Sequence, residues 1–321
     1  MRGRETAPSL VSRTFGKERV GPPSGIVLAM PAVLLVVNPQ ASAVSDERAE
    51  RVAAAFGPDV EVVTTERPGH AVELVQAADA DAIVVFGGDG AFNEALNGLP
   101  EGIAIGFVPG GGSSVLPRAL GLPSEPEAAA ERISDAIRTG RTRAISLGRV
   151  NGRRFAFAAA LGFPAAVVRR VDERGRDDGR RAPDRAFLGS GARILAGQRG
   201  RLEEELEVVG HGRAAFALIG NGDPYTYFGR FPVHLAPRAQ WDRGLDLVAP
   251  RMVRPLAIPR LAAVALTGRT PKARGVLYLH DLDTIELRAD SPLPLQVDGE
   301  DLGDVAVALF TVDRQAANVL V

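Results

Sequence analysis

The chain contains no cysteine. Disulfides, thiolate nucleophiles and cysteine-bound metals are therefore excluded, and the usage fits a reducing, cytoplasmic setting. Histidine is almost as scarce: His70, His211, His234 and His280 are the whole set, and none pairs with another at metal-ligand spacing. Aromatic residues make up 5 % of the chain, with one tryptophan, and the net charge is −1. That balance excludes nucleic-acid binding driven by the charge of the whole protein. No apolar run reaches the roughly 18 residues that a bilayer-spanning helix needs. The two common phosphate-binding patterns, G-x-x-x-x-G-K-[ST] and G-x-G-x-x-G followed by a distant acid, are also missing.

What is present describes an ordinary globular chain of 321 residues, 45 % hydrophobic and 24 % charged, long enough for two domains. The first 29 residues are polar and aperiodic and read as a disordered leader, with Met30 a candidate start. Their arginines, the apolar run Ile26 to Val37 and Ala41-Ser42-Ala43 also spell a secretory signal on paper. Pro31 interrupts that run, and Ala32 to Val37 serves as a first strand.

The chemistry gathers around Ile83 to Leu99. A buried-strand run, Ile83-Val84-Val85-Phe86, meets Gly87-Gly88-Asp89-Gly90, and Phe92, Ala95, Leu96 and Leu99 then recur at helical spacing. Strand, glycine loop and helix together offer free backbone N–H groups and a positive helix end to phosphate. A carboxylate beside phosphate is costly unless it handles a metal or a proton, which singles out Asp89, with Asn93 and Glu94 in the first turn. A second glycine loop, Pro109-Gly110-Gly111-Gly112-Ser113-Ser114, follows the strand Ile103 to Val108.

Strands and helices alternate up to the helix Pro126 to Thr139, which predicts a parallel sheet covered on both faces. From about Ser146 short alternating apolar segments take over, among them Arg154 to Ala159, Arg213 to Gly220, Thr284 to Arg288, Leu293 to Val297 and Val305 to Val312. They predict a second, mostly antiparallel β region, so the fold class is α/β with an added β part. Between the two lies Val168 to Arg201, with ten arginines against five acids. This segment reads as a solvated helix and loop; its functional alternative is a basic lip for anionic membrane or ATP phosphates.

The run Gly87-Gly88-Asp89-Gly90 through Asn93-Glu94 and Asn97-Gly98-Leu99 resembles the signature of the diacylglycerol kinase and sphingosine kinase family of lipid kinases, which sits in one superfamily with the NAD kinases. Arg118 to Pro123 and Asp298-Gly299-Glu300 carry the same resemblance. It implies an ATP- and Mg2+-dependent transfer of phosphoryl to a lipid hydroxyl such as that of diacylglycerol, a step in phospholipid metabolism. It further implies nucleotide contacts from Asn38, Pro39 and Ser42, from Thr65, from Gly87, Gly88, Asp89, Gly90, Asn93 and Glu94, and from Gly110, Gly111, Gly112 and Ser113. Glu300 takes the role of proton acceptor, Asp298 that of its partner or a metal-facing group, and Asp89 that of a rival base or a Mg2+ holder.

Several positions depart from the family pattern. Gly112, Ser114 and Val115 replace its Thr, Asn and Asp, Pro164 replaces an Asp, and Arg243 stands where a structural Mg2+ site has an acid. That site is expected to be lost, with Asp242 the one nearby oxygen donor. The substitutions keep open a non-catalytic nucleotide- or lipid-binding relative, and the shared glycine loop keeps open an NAD kinase. The expected organisation is a nucleotide-binding domain over 30–145, a substrate domain over 146–303, and a tail over 304–321 that returns to the first domain. The expected setting is cytoplasmic, with peripheral contact at the inner membrane face.

Overall fold

The computed structural model describes residues 31–173, 184–229 and 231–321. The leader or signal expected before Met30, and the middle of the arginine-rich segment, lie outside the described residues.

The first half alternates β1 (Val33–Val37), α1 (Asp46–Ala54), β2 (Glu61–Thr64), α2 (His70–Gln76), β3 (Ala82–Gly87), α3 (Asp89–Gly98), β4 (Ala104–Pro109), α4 (Val115–Ala119) and α5 (Pro126–Thr139). β2, β1, β3 and β4 lie side by side and parallel. β1 and β3 are buried at every position, which is why they read as unbroken apolar runs. Alternate residues feed two cores. Leu34, Val36, Ile83 and Val85 meet Phe92, Leu96 and Val115 on one face, while Leu35, Val84 and Phe86 meet Val52, Phe56 and Ile133 on the other. The four strands therefore end together at their C-terminal edge, where β1, β3 and β4 run into the predicted loops.

The second half contains β5 (Thr142–Val150), β6 (Arg153–Phe155), β7 (Ala158–Leu161), α6 (Phe163–Asp172), α7 (Asp184–Gly197), β8 (Leu206–Val208), β9 (Gly212–Ala214), β10 (Ala217–Gly220), β11 (Thr226–Phe228) and β12 (Phe231–Val233). It continues with β13 (Leu245–Pro250), α8 (Ile258–Thr267), β14 (Val276–Leu282), β15 (Thr284–Val297) and β16 (Glu300–Leu320). β14, β13, β10, β7, β15 and β16 form an antiparallel run. β16 pairs with β15 from Glu300 to Thr311, with β5 from Phe310 to Leu320, and in parallel with β4 at Asn318 and Val319. That last pairing makes one 14-stranded sheet of both halves.

Several expected strands are redrawn. Arg154 to Ala159 splits into β6 and β7, because the intervening N–H groups turn to the Asp298 carboxylate. Arg213 to Gly220 splits likewise, the Ala215 N–H donating to the Pro250 carbonyl at 2.8 Å. Thr284 to Arg288 and Leu293 to Val297 are one strand, β15, with a register shift between them that the alternation pattern reads as a break. The hairpin of β11 and β12 and the helix α8 were not among the expected elements.

Candidate active site

At the C-terminal edge of the parallel strands, backbone meets backbone. The Asn38 N–H donates to the Phe86 carbonyl at 2.9 Å, Ala43 to Gly110 at 2.8 Å and Gly110 to Gly87 at 2.6 Å. Three loops, those after β1, β3 and β4, are thereby laced into one rim. Glycine is needed where they cross: a Cβ on Gly111 would stand 2.9 Å from the Gly88 Cα, and one on Gly110 would stand 3.0 Å from the Gly87 carbonyl oxygen. Gly112 differs, facing open space. Ser113 is buried, and the Ser114 hydroxyl donates to the Gly111 carbonyl at 2.9 Å, closing the second loop on itself.

α3 begins at this rim. Its preceding residue, Gly88, has an extended backbone and no side chain, so the start of α3 has no side-chain cap. The Asp89 Oδ1 accepts from the Leu116 N–H at 3.3 Å, which ties the start of α3 to the start of α4. Asn38, Pro39 and Ser42 belong to the first loop of the rim, and Thr65 follows β2 with its N–H donating to the Val37 carbonyl at 2.9 Å.

From the other half, the turn between β15 and β16 brings in the two remaining acids. Asp298 is buried and held at φ +46°. Its Oδ2 accepts from Asn93 Nδ2 at 2.8 Å and from the Ala156 N–H at 2.7 Å, and its Oδ1 accepts from Phe157 and Ala158 at 3.0 Å each. Burial pushes this carboxyl up to about 6, against the pull of its backbone and Asn93 donors. With both oxygens occupied, Asp298 fastens α3 to the β6–β7 turn. Glu300, by contrast, points to the rim: its Oε1 would lie 3.6 Å from a Cβ on Gly90, one residue beyond Asp89.

The link between Glu300 and α3 is Arg153, which sequence reasoning did not single out. Its Nη2 donates to Glu300 Oε2 at 2.6 Å and to Asn93 Oδ1 at 2.8 Å, and its Nε donates to Asn93 Oδ1 at 3.1 Å. A signal was there. Arg153 and Arg154 are consecutive in a strand, so they face opposite ways, and each needs an anion; Arg154 finds Asp313 at 3.2 Å. Asn93 and Asn97, one turn apart on α3, both hold this strand, Asn97 Oδ1 accepting from the Arg154 N–H at 2.9 Å. Glu94 turns away, its Oε2 accepting from the Ala71 N–H at 3.3 Å in the first turn of α2. Asp242 is exposed, and neighbouring Arg243 pairs with Asp281 at 3.7 Å.

The structure thus brings Gly87 to Gly90, Gly110 to Gly112, Asp89 and Glu300 to one place. It sets Asp298 and Asn93 behind them, and keeps Glu94 and Asp242 apart. An uncapped helix start, glycine backbone and a partly exposed carboxylate held by an arginine can bind an anionic phosphate chain and take a proton beside it.

Residues 32–150 match the diacylglycerol kinase catalytic domain. A diacylglycerol kinase of Staphylococcus haemolyticus is 26 % identical over 268 residues, covering 80 % of this chain and 77 % of its own length. One of Bacillus subtilis is 26 % identical over 238 residues, covering 72 % and 75 %. In fold, the chain is similar to a diacylglycerol kinase structure from Bacillus anthracis, at a TM-score of 0.65 and 20 % identity over 90 % of this chain and 96 % of that one. Over residues 32–150 the chain thus matches the catalytic domain of diacylglycerol kinases, and the chain is a kinase enzyme.

Proposed function

We propose that this lipid kinase transfers the γ-phosphoryl group of ATP to the hydroxyl of a lipid such as diacylglycerol, with Glu300 as the proton acceptor. The observation that carries the proposal is the placement of Glu300 over Gly90, at the uncapped start of α3 and beside a rim of glycine backbone. ATP phosphates would lie against the N–H groups of residues 88–90 and 110–112, where a negative charge gains from the helix end and no Cβ intrudes. The acceptor hydroxyl loses its proton to Glu300 as its oxygen bonds to the γ-phosphorus. The bond from that phosphorus to the β–γ bridging oxygen breaks, and ADP carries the charge away. Arg153 keeps Glu300 in place, and Asp298 with Asn93 holds α3 at a fixed distance from it.

Among the described residues no three His, Cys, Asp or Glu side chains cluster into a metal cage. Mg2+ is ordinarily held by one or two carboxylates, with phosphate oxygens and water, and Asp89, at the start of α3, is the carboxylate that would hold it at the rim. Bound there, Mg2+ would neutralise charge on the β- and γ-phosphates.

The test is incubation of purified protein with γ-labelled ATP, Mg2+ and a lipid panel of diacylglycerol, ceramide and long-chain bases, beside Glu300→Gln. The proposal expects one labelled lipid, and a rate lower by roughly 100-fold or more in the variant. Labelled lipid formed equally by the variant removes Glu300 from its role. Bound ATP with no labelled lipid would instead favour a binding protein that has lost turnover.

A further inference from the structure

The stretch between β13 and β14 is unlike the rest of the chain. From Leu247 to His280 there is no aspartate or glutamate, yet there are six cations: Arg251, Arg254, Arg260, Arg269, Lys272 and Arg274. All six are exposed, and none has an ion-pair partner among the described residues. Elsewhere many of the described arginines are paired, as Arg149, Arg154, Arg169 and Arg314 are.

The same element carries the most exposed large apolar side chain of the described residues. Leu256 is 96 % exposed, Leu266 is 57 % exposed, and Phe231 on β12, which packs on α8, is 58 % exposed. α8 itself is two-sided. Ile258 and Leu261 pack inward on Leu202 and Val253, while Arg260, Ala262, Ala263 and Leu266 face out. A leucine left almost wholly in water forgoes roughly 2 kcal/mol of burial, so exposed apolar groups of this kind in a segment with six cations and no acid mark a contact surface.

We infer that α8 and its flanking turns, 251–275, are the surface by which this protein docks on an anionic phospholipid bilayer, Leu256 and Leu266 entering the headgroup boundary and the six cations meeting lipid phosphates. Charge complementarity selects this occupant. A segment of six cations and no acid disfavours another copy of itself, whereas an anionic leaflet attracts each Lys or Arg and admits the exposed leucines. No helix among the described residues is long and apolar enough to cross a membrane. The inference deepens the lipid-kinase reading, since an acceptor that stays in a bilayer must be reached there.

The test uses vesicles that contain no acceptor lipid, so its outcome is independent of whether the enzyme phosphorylates diacylglycerol. The full chain is sedimented with phosphatidylcholine vesicles and with vesicles holding 30 mol % phosphatidylglycerol, at low and at high salt. Binding is expected on the anionic vesicles only and should weaken with salt. Arg251→Ser/Arg254→Ser/Lys272→Ser should weaken it roughly 100-fold, and Leu256→Asp roughly tenfold, as expected for loss of three cations or of one inserted leucine. Both variants change exposed side chains, so thermal unfolding should match the parent and shows that the fold is kept. Equal binding to neutral vesicles, no binding to anionic ones, or full binding by both variants overturns the inference.

Discussion

Replacing Arg153 by methionine tests the reasoning about the site most directly. The side chain donates to Glu300 Oε2 at 2.6 Å and to Asn93 Oδ1 at 2.8 and 3.1 Å. Methionine keeps most of the apolar stem and removes all three bonds. Neither partner is stranded in the core. Glu300 and Arg153 are each about 30 % exposed, and Asn93 Oδ1 still accepts from Asn97 Nδ2 at 3.1 Å. The loss of stability is therefore modest, about 1–2 kcal/mol, from a half-screened ion pair and two hydrogen bonds to a neutral amide. The loss of rate is expected to be larger. Glu300 follows a tight turn and Arg153 steers it to the rim; with that pairing removed its oxygen is placed less closely against the reacting hydroxyl, which costs about 100-fold. The glycine rim is untouched, so KM for ATP should stay within about threefold, and the whole effect should fall on kcat. Steady-state kinetics with saturating acceptor read this split. A double-mutant cycle with Glu300→Gln should then show strong coupling, because positioning has no value once the base is gone. Two results would refute the argument: an unchanged kcat, or a raised KM for ATP with kcat intact. The second would make Arg153 a phosphate-binding residue instead.

Two further outcomes follow from the same geometry. Gly111→Ala places a Cβ 2.9 Å from the Gly88 Cα at a backbone contact that cannot swing away, so the two loops should part and KM for ATP rise about tenfold or more, with little change in the melting temperature; unaltered ATP affinity by calorimetry would show that the rim does not hold the nucleotide. The Asp298 carboxyl, pushed up to about 6 by burial, binds its proton more tightly folded than unfolded, so its contribution to stability is fully present below about pH 4 and is lost as pH rises through about 6, roughly 3 kcal/mol in all. The difference in unfolding free energy between the parent and Asp298→Asn, measured by denaturant titration at steps from pH 4 to 7, should change over that window; parallel curves refute the assignment.

The first half was legible because its signals are local. Apolar strand runs, glycine at the ends of β3 and β4 and helical spacing between strands all sit within a few residues of one another, and α5 falls at Pro126–Thr139 as the pattern predicts. The second half was legible in kind and not in detail. Its strands break or continue according to partners far away in sequence. β6 and β7 part because an acid more than 140 positions later claims the Phe157 N–H, and β15 runs through a register shift that looks like a turn. Glu94 shows the same limit inside the motif itself. Sequence places it beside Asn93, but a helix turns successive side chains by about 100°, and Glu94 faces α2.

Asp298 explains why two distant motifs belong to one site. On sequence it reads as a turn acid beside a base, yet in the fold its oxygens are fully occupied by Asn93 and three backbone N–H groups. Asn93 in turn accepts from the arginine that holds Glu300. The chain of contacts runs from the first turn of α3 to the carboxylate at the start of β16 without leaving the protein. β16 then continues for 21 residues and pairs with β4 at Asn318 and Val319, next to β3, whose end supplies the glycine loop. The acid and the glycine rim are thus fixed to each other twice, once by a polar relay and once by a strand of the common sheet. Neither connection passes through Gly112 or Val115, two of the loop positions that depart from the family pattern.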